Sequence, residues 1–198
     1  MVVRSESAIV VLDLDNPDAK SDGDERTGWV VFYLHMRTDS RATAGTRLDT
    51  GDPVGYPARD ANAIAVGAST DRAQLADYSN VGKEIAFVAP SSGGVRGIYT
   101  TDVSLPNRGF NVGRVARGGA DGLHTNDFGG TSAATPLAAG VGALVLSVRP
   151  DLTAAQVRDV MQRTCDRIGA GYDANGHSDE FGHGRINAGR AVEAAREL

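Results

Sequence analysis

Apolar positions along this chain come first as short runs and later as longer helical stripes. Ala8–Leu14 is a β-branched run closed by Asp15, Asn16 and Pro17, the pattern of a buried strand. Trp29–Leu34 is a second such run and Ala63–Ala68 a third. Ile85–Ala89 is a fourth, stopped by Pro90, and Ile98–Thr101 reads as a further short strand. Residues 16–28 and 35–55 are polar or without period and read as exposed connections. Residues 102–129 are rich in glycine and read as a long loop or hairpin. Residues 132–148 are apolar all round, which predicts a buried helix. Its small residues Ala138, Ala139, Gly140, Gly142 and Ala143 let neighbouring backbones approach, and Pro150 marks its end. Thr153-Ala154-Ala155-Gln156 spells a capping box, opening an amphipathic helix to about residue 168. Asn187 caps a last helix running to Leu198. Strands first and helices later predict an α/β sandwich with a mostly parallel sheet.

Composition narrows the function. A chain of 198 residues holds one domain with a real core. The net charge is −5 and the only lysines are Lys20 and Lys83, which argues against a nucleic-acid or anionic-membrane surface. The single cysteine, Cys165, cannot form an internal disulfide. It sits in a helical pattern with Val157, Val160, Met161, Thr164 and Ile168 and reads as a small buried residue, not a catalytic thiol. The longest mostly apolar run, Pro136–Val148, is shorter than a bilayer requires. The N-terminal apolar stretch is hemmed in by acids and does not read as a signal peptide.

The chemistry concentrates in Gly130-Thr131-Ser132-Ala133-Ala134-Thr135-Pro136. Ser132 stands where a glycine-rich loop enters the buried helix. A helix start carries N–H groups and partial positive charge, which an acyl-transfer enzyme uses to stabilise an oxyanion beside its nucleophile. The plainer reading is that Thr131 or Ser132 only caps the helix, and spacing alone favours that reading.

The full stretch, Gly-Thr-Ser-x-Ala-x-Pro followed by Ala138-Ala139-Gly140, resembles the nucleophile motif of subtilisin-like serine proteases, the subtilases or peptidase S8 family. Further segments match in the family's order. Gly55-Tyr56-Pro57-Ala58 and Ala63–Ala68 resemble its specificity-pocket side. Tyr78-Ser79-Asn80-Val81-Gly82 with Val88-Ala89-Pro90 resembles its S-N-x-G and A-P run. Gly97–Asp102 and Gly182–Ala188 also match. The resemblance spans residues 54 to 195. It implies the later part of a three-layer α/β/α domain with a mostly parallel sheet, whose N-terminal part is missing. It also implies a serine endopeptidase acting on protein or peptide substrates through an acyl-enzyme on Ser132. The family needs no redox or organic cofactor. Many members hold structural calcium, for which no ligands can be assigned here. Members are usually secreted, at odds with the N-terminus, so the compartment stays open.

The resemblance also implies an orienting Asp and a His base upstream of the Ser, and their motifs are absent. Residues 1–53 form an atypical N-terminal segment, and residues 54–198 the family-like portion. Of the four histidines, His35 lies in the wrong context. His124 lies in the glycine-rich loop, where the family puts no base, and His177 and His183 flank a C-terminal turn and read as surface residues. Asp49-Thr50-Gly51 spells the Asp motif without a strand leading into it, and Asp13 ends a strand without the Gly that should follow. Where the family has an oxyanion asparagine, this chain has Thr38 or Asp39, and a carboxylate there would repel the oxyanion. The expectation is a truncated or mis-assembled reading frame, inactive alone. The alternative is a non-catalytic pseudoprotease fragment that binds a peptide or a partner chain. An exposed sheet edge predicts self-association. Asp173, Asn175 and Asp179 could form a loose cation site, but a polar turn is the simpler reading.

Overall fold

The computed structural model describes residues 9–13 and 29–33 as backbone, and residues 54, 58–61, 63–103 and 123–198 with side chains. Strands β1 (Ile9–Asp13), β2 (Trp29–Tyr33), β3 (Ala63–Ser69) and β4 (Ile85–Pro90) form one sheet in that order. β1 pairs antiparallel with β2, while β2–β3 and β3–β4 are parallel. β5 (Ile98–Thr101) and β6 (His124–Phe128) form a separate antiparallel pair, and residues 104–122 of the glycine-rich stretch between them lie outside the described residues. Helices α1 (Thr131–Val148), α2 (Ala154–Arg163) and α3 (Ala188–Arg196) follow. This is the expected α/β fold with a mostly parallel sheet.

All seven residues of β3 are buried, which is why its sequence is apolar on both faces. Ile64, Val66 and Ala68 join Ala138 and Val145 of α1, Val160 and Met161 of α2, and Ala191 and Ala195 of α3 in the main core. The alternate residues Ala63 and Ala65 meet Val54, Ala58 and Ile85 in a second, smaller cluster. The two-residue period of a strand divides them in this way. The outer edge of β4 is covered by the C-terminal segment. His183 N–H donates to Ala86 O at 3.0 Å, Val88 N–H to Gly184 O at 2.9 Å, and Ile186 N–H to Val88 O at 3.0 Å. The other edge strand of this sheet is β1.

α1 is 18 residues long, more than the apolar run alone indicates. By length and composition it could cross a membrane, yet 50% of it is buried in the core. The capping box of α2 is complete. Thr153 Oγ1 accepts from Gln156 N–H at 3.3 Å, and Gln156 Oε1 accepts from Thr153 N–H at 2.8 Å. The helix stops at Arg163, five residues before the sequence pattern does. Thr164 Oγ1 bonds back to Val160 O at 2.7 Å, and Asp166 then exchanges two 2.8 Å backbone bonds with Arg185. Cys165 therefore lies just past the helix. It is buried, burial pushes its thiol up to about 12, and Sγ donates to Met161 O. A thiol so placed is inert at neutral pH.

Candidate active site

The start of α1 stands at the C-terminal ends of β3 and β4, where open parallel sheets bind ligands. The strand ends are tied by Ser91 N–H donating to Ser69 O at 2.8 Å. Beyond Pro90 the chain supplies Ser91 and Ser92, which hold Gly130. Ser91 Oγ donates to Gly130 O at 2.6 Å, and Gly130 N–H donates to Ser92 Oγ at 3.3 Å. The Tyr78 hydroxyl braces both serines, donating to Ser92 O at 2.8 Å and lying 3.0 Å from Ser91 Oγ. One residue on, Ser79 Oγ accepts from Ala68 N–H at 3.0 Å, so the S-N-x-G run is fastened to β3. Tyr78 and Ser79 belong to a motif already read from the sequence, whereas Ser91 and Ser92 were not singled out by sequence reasoning. The signal was there in the two serines after Ala89-Pro90.

Gly130 is the N-cap of α1, at φ 79°, and no side chain caps the helix. A left-handed φ favours glycine. At the preceding residue, a Cβ on Gly129 would overlap the Ser92 side chain. Ser132 is therefore the second residue of the helix and not its cap, which removes the plainer reading of this serine. Pro136 cannot return an N–H to the Ser132 carbonyl. Ser132 itself is partly exposed. Behind it a cavity of about 10 Å³ is lined by Val54, Gly67, Asn80 and Thr131, among others. Asn80 Nδ2 and Thr131 Oγ1 are buried there without a hydrogen bond.

The other sequence candidates fall elsewhere. Asp13 pairs with Trp29, at the N-terminal end of β2, because β1 runs antiparallel. That is the end of the sheet opposite Ser132. His177 and His183 are half-buried. Their rings meet edge to face at 5.4 Å, and His177 Nε2 bonds Ile85 O at 2.9 Å, at the start of β4. Five strand steps separate Ile85 from Pro90, about 17 Å. His124 opens β6 with its ring stacked on Tyr99 at 5.5 Å. From there the chain runs about 13 Å in extended form before turning into α1. His35, Thr38, Asp39 and Asp49 lie outside the described residues. Asp173 Oδ1 accepts from Asn175 and His177 N–H groups, each at 2.9 Å, and so builds a polar turn. Among the described residues no three His, Cys, Asp or Glu side chains gather as a metal site.

The sequence profile of the subtilase family matches residues 39–184. The chain belongs to the subtilase family. Subtilase relatives include a "Calcium-dependent protease" of Nostoc sp., 43% identical over 159 residues, covering 77% of this chain and 24% of that protein. Subtilisin from Bacillus pumilus is 33% identical over 154 residues, covering 77% of this chain and 46% of that protein. The chain thus spans less than half of either subtilase. Among solved structures, the serine protease of Aeromonas sobria superposes with a TM-score of 0.64 at 23% identity, covering 71% of this chain and 30% of that one. That match supports the subtilase fold.

Proposed function

We propose that this chain carries the nucleophile side of a subtilase active site and that Ser132 is the nucleophile. Its Oγ attacks a peptide carbonyl carbon, forming the Oγ–C bond. The hydroxyl proton passes to a histidine base and on to the departing amine as the C–N bond breaks. Water then hydrolyses the acyl-enzyme ester. N–H groups at the start of α1 face the developing oxyanion. The observation that carries this reading is the placement of Ser132 on the first turn of a helix whose cap is glycine. Both backbone groups of that glycine are held by Ser91 and Ser92. Substrates are proteins or peptides, as for the family.

A serine without its base loses nearly all catalytic benefit, because triad members act as a unit. The chain alone is therefore inactive, and its His and Asp partners belong to the part of a subtilase that these 198 residues do not match. Alone it also self-associates through the outer edge of β1. One relative is named a calcium-dependent protease. No calcium ligands are assigned among the described residues, and no step of this mechanism uses calcium. A non-catalytic, peptide-binding role is favoured by the placement of Asp13, His177 and His183 at the wrong end of the sheet. Hydrolysis of a peptide p-nitroanilide, beside Ser132→Ala, tests whether the chain alone holds a working base. Equal background rates are expected for the chain alone. A rate lost in the variant would show that a base is already present.

A further inference from the structure

We propose that the cavity at the N-terminal ends of β3 and β4 binds a phosphate group, free or on a small monoester, through Arg158, Lys83, Arg59 and Gln162. The site does not depend on the reading of Ser132, which lies at the other end of the sheet. Several stretches of chain converge here. Residues 58–61 lead towards β3, and Lys83 and Glu84 lead into β4. α2 supplies Arg158 and Gln162 one turn apart, and the C-terminal segment supplies His177 and His183. Together they surround a volume of about 250 Å³, which suits a ligand smaller than most organic cofactors.

The backbone groups at this end of the sheet are paired, whereas the cations are not. Arg158 is half-buried and donates one N–H to Ala61 O and another to Ala63 O. A guanidinium stays charged and has further N–H groups to give. Among the described residues no carboxylate stands within ion-pair distance of Arg158, Arg59 or Lys83. A cation drawn partly out of water without a counter-charge is costly, and burial accordingly lowers the Arg158 pKa. The carboxylates that line the cavity do not answer this charge. Asp60 is exposed, and Glu84 Oε2 lies against Gly82, 2.8 Å from where a Cβ on that glycine would sit. The Gln162 amide has no partner among the described residues.

The donors choose the anion. A phosphate brings at least three acceptor oxygens and up to two charges, so it meets guanidinium, ammonium and amide together. A carboxylate has two oxygens and one charge. The histidines point the same way. A carbonyl only accepts, so His177 Nε2 carries the proton it gives to Ile85 O, and the other ring nitrogen of the neutral imidazole is an acceptor. A protonated phosphate can donate to it and a carboxylate cannot. Burial first, and then His177, hold the His183 imidazole below its ordinary pKa. An anion beside the two rings opposes the second of these causes.

The test titrates the 198-residue chain with sodium phosphate and follows the imidazole C–H signals by NMR. Sodium chloride and sodium acetate of matched ionic strength are the controls. Phosphate should shift the His177 and His183 signals saturably and leave that of His124, stacked on Tyr99, in place. Lys83→Gln and Arg59→Gln, both at exposed positions, should each weaken binding about threefold, the worth of one exposed ion pair. Arg158→Gln should weaken it at least about tenfold, the worth of a charge-assisted bond. If that variant does not fold, the Lys83→Gln, Arg59→Gln double variant carries the test. Ser132→Ala should bind phosphate like the wild type, which keeps this site and the nucleophile reading separable. Glycerol 2-phosphate binding more tightly than inorganic phosphate identifies a monoester as the occupant, and the reverse order identifies free phosphate. The proposal is overturned if phosphate moves the signals no further than chloride, or if acetate or calcium chloride moves them as far. It is equally overturned if the Lys83 and Arg59 variants bind phosphate as tightly as the wild type.

Discussion

The two ends of the parallel sheet differ in how their buried polar groups are satisfied. At the N-terminal ends of β3 and β4, long-range bonds pair them. Arg158 donates to Ala61 O at 2.9 Å and Ala63 O at 2.8 Å, and His177 bonds Ile85 O. At the C-terminal ends lie Ser69 Oγ, Asn80 Nδ2, Thr131 Oγ1 and Thr135 Oγ1, all buried and none hydrogen-bonded. Sequences break the rules of polar satisfaction mainly where function requires it. One end of this sheet is built for stability, and the other is built around Ser132.

Four substitutions or conditions sharpen that contrast. The largest effect belongs to the packed core. Phe87 is fully buried, and Phe87→Ala should cost about 3–5 kcal/mol, read as a lowered denaturant midpoint. Arg158→Ala should cost about 2 kcal/mol, since it strips two carbonyls of a charge-assisted donor. A midpoint unchanged from wild type would show that water replaces the guanidinium there. At the other end the sign should reverse. Thr135→Val removes an unpaired buried hydroxyl at nearly constant shape and should be neutral or stabilising by up to about 1 kcal/mol. A clear loss would mean that this hydroxyl has a partner and that the two ends are alike.

The smallest effect is that of pH. Burial, and then the nearby His177, hold the His183 imidazole below its ordinary value. The unfolded chain therefore takes up this proton first. The stability contributed is fully present above about pH 6.5 and is lost as pH falls through that value to the folded one. The His177 N–H, ahead of that of Asn175, holds the Asp173 carboxylate low. Its contribution is present above about pH 3.9 and is lost on further acidification. Thermal melts should thus weaken in two steps as pH falls. His183→Gln should remove the upper step and Asp173→Asn the lower.

Local signals in the sequence were read well. The run Ile98–Thr101 coincides with β5, Thr153 caps α2, and Asn187 caps α3 by accepting from Arg190 N–H at 3.0 Å. Each depends on residues a few positions apart. What escaped the sequence depends on contacts far along the chain. α2 ends early because Asp166 pairs with Arg185. His177 and His183 are half-buried because the tail folds back on β4. Asp13 faces the wrong end because β1 runs antiparallel to β2. The site was legible as a motif around Ser132. Its bracing by Tyr78, Ser91 and Ser92 was not, because 39 positions separate Ser91 from Gly130.

The most direct test of the account is fluorophosphonate labelling of the folded chain alone, read by intact mass beside Ser132→Ala. The account predicts no adduct on either protein, because the nucleophile stands without its base. An adduct present in the wild type and absent from the variant would contradict it. That result would place a working base within these 198 residues and turn attention to His124 and His35.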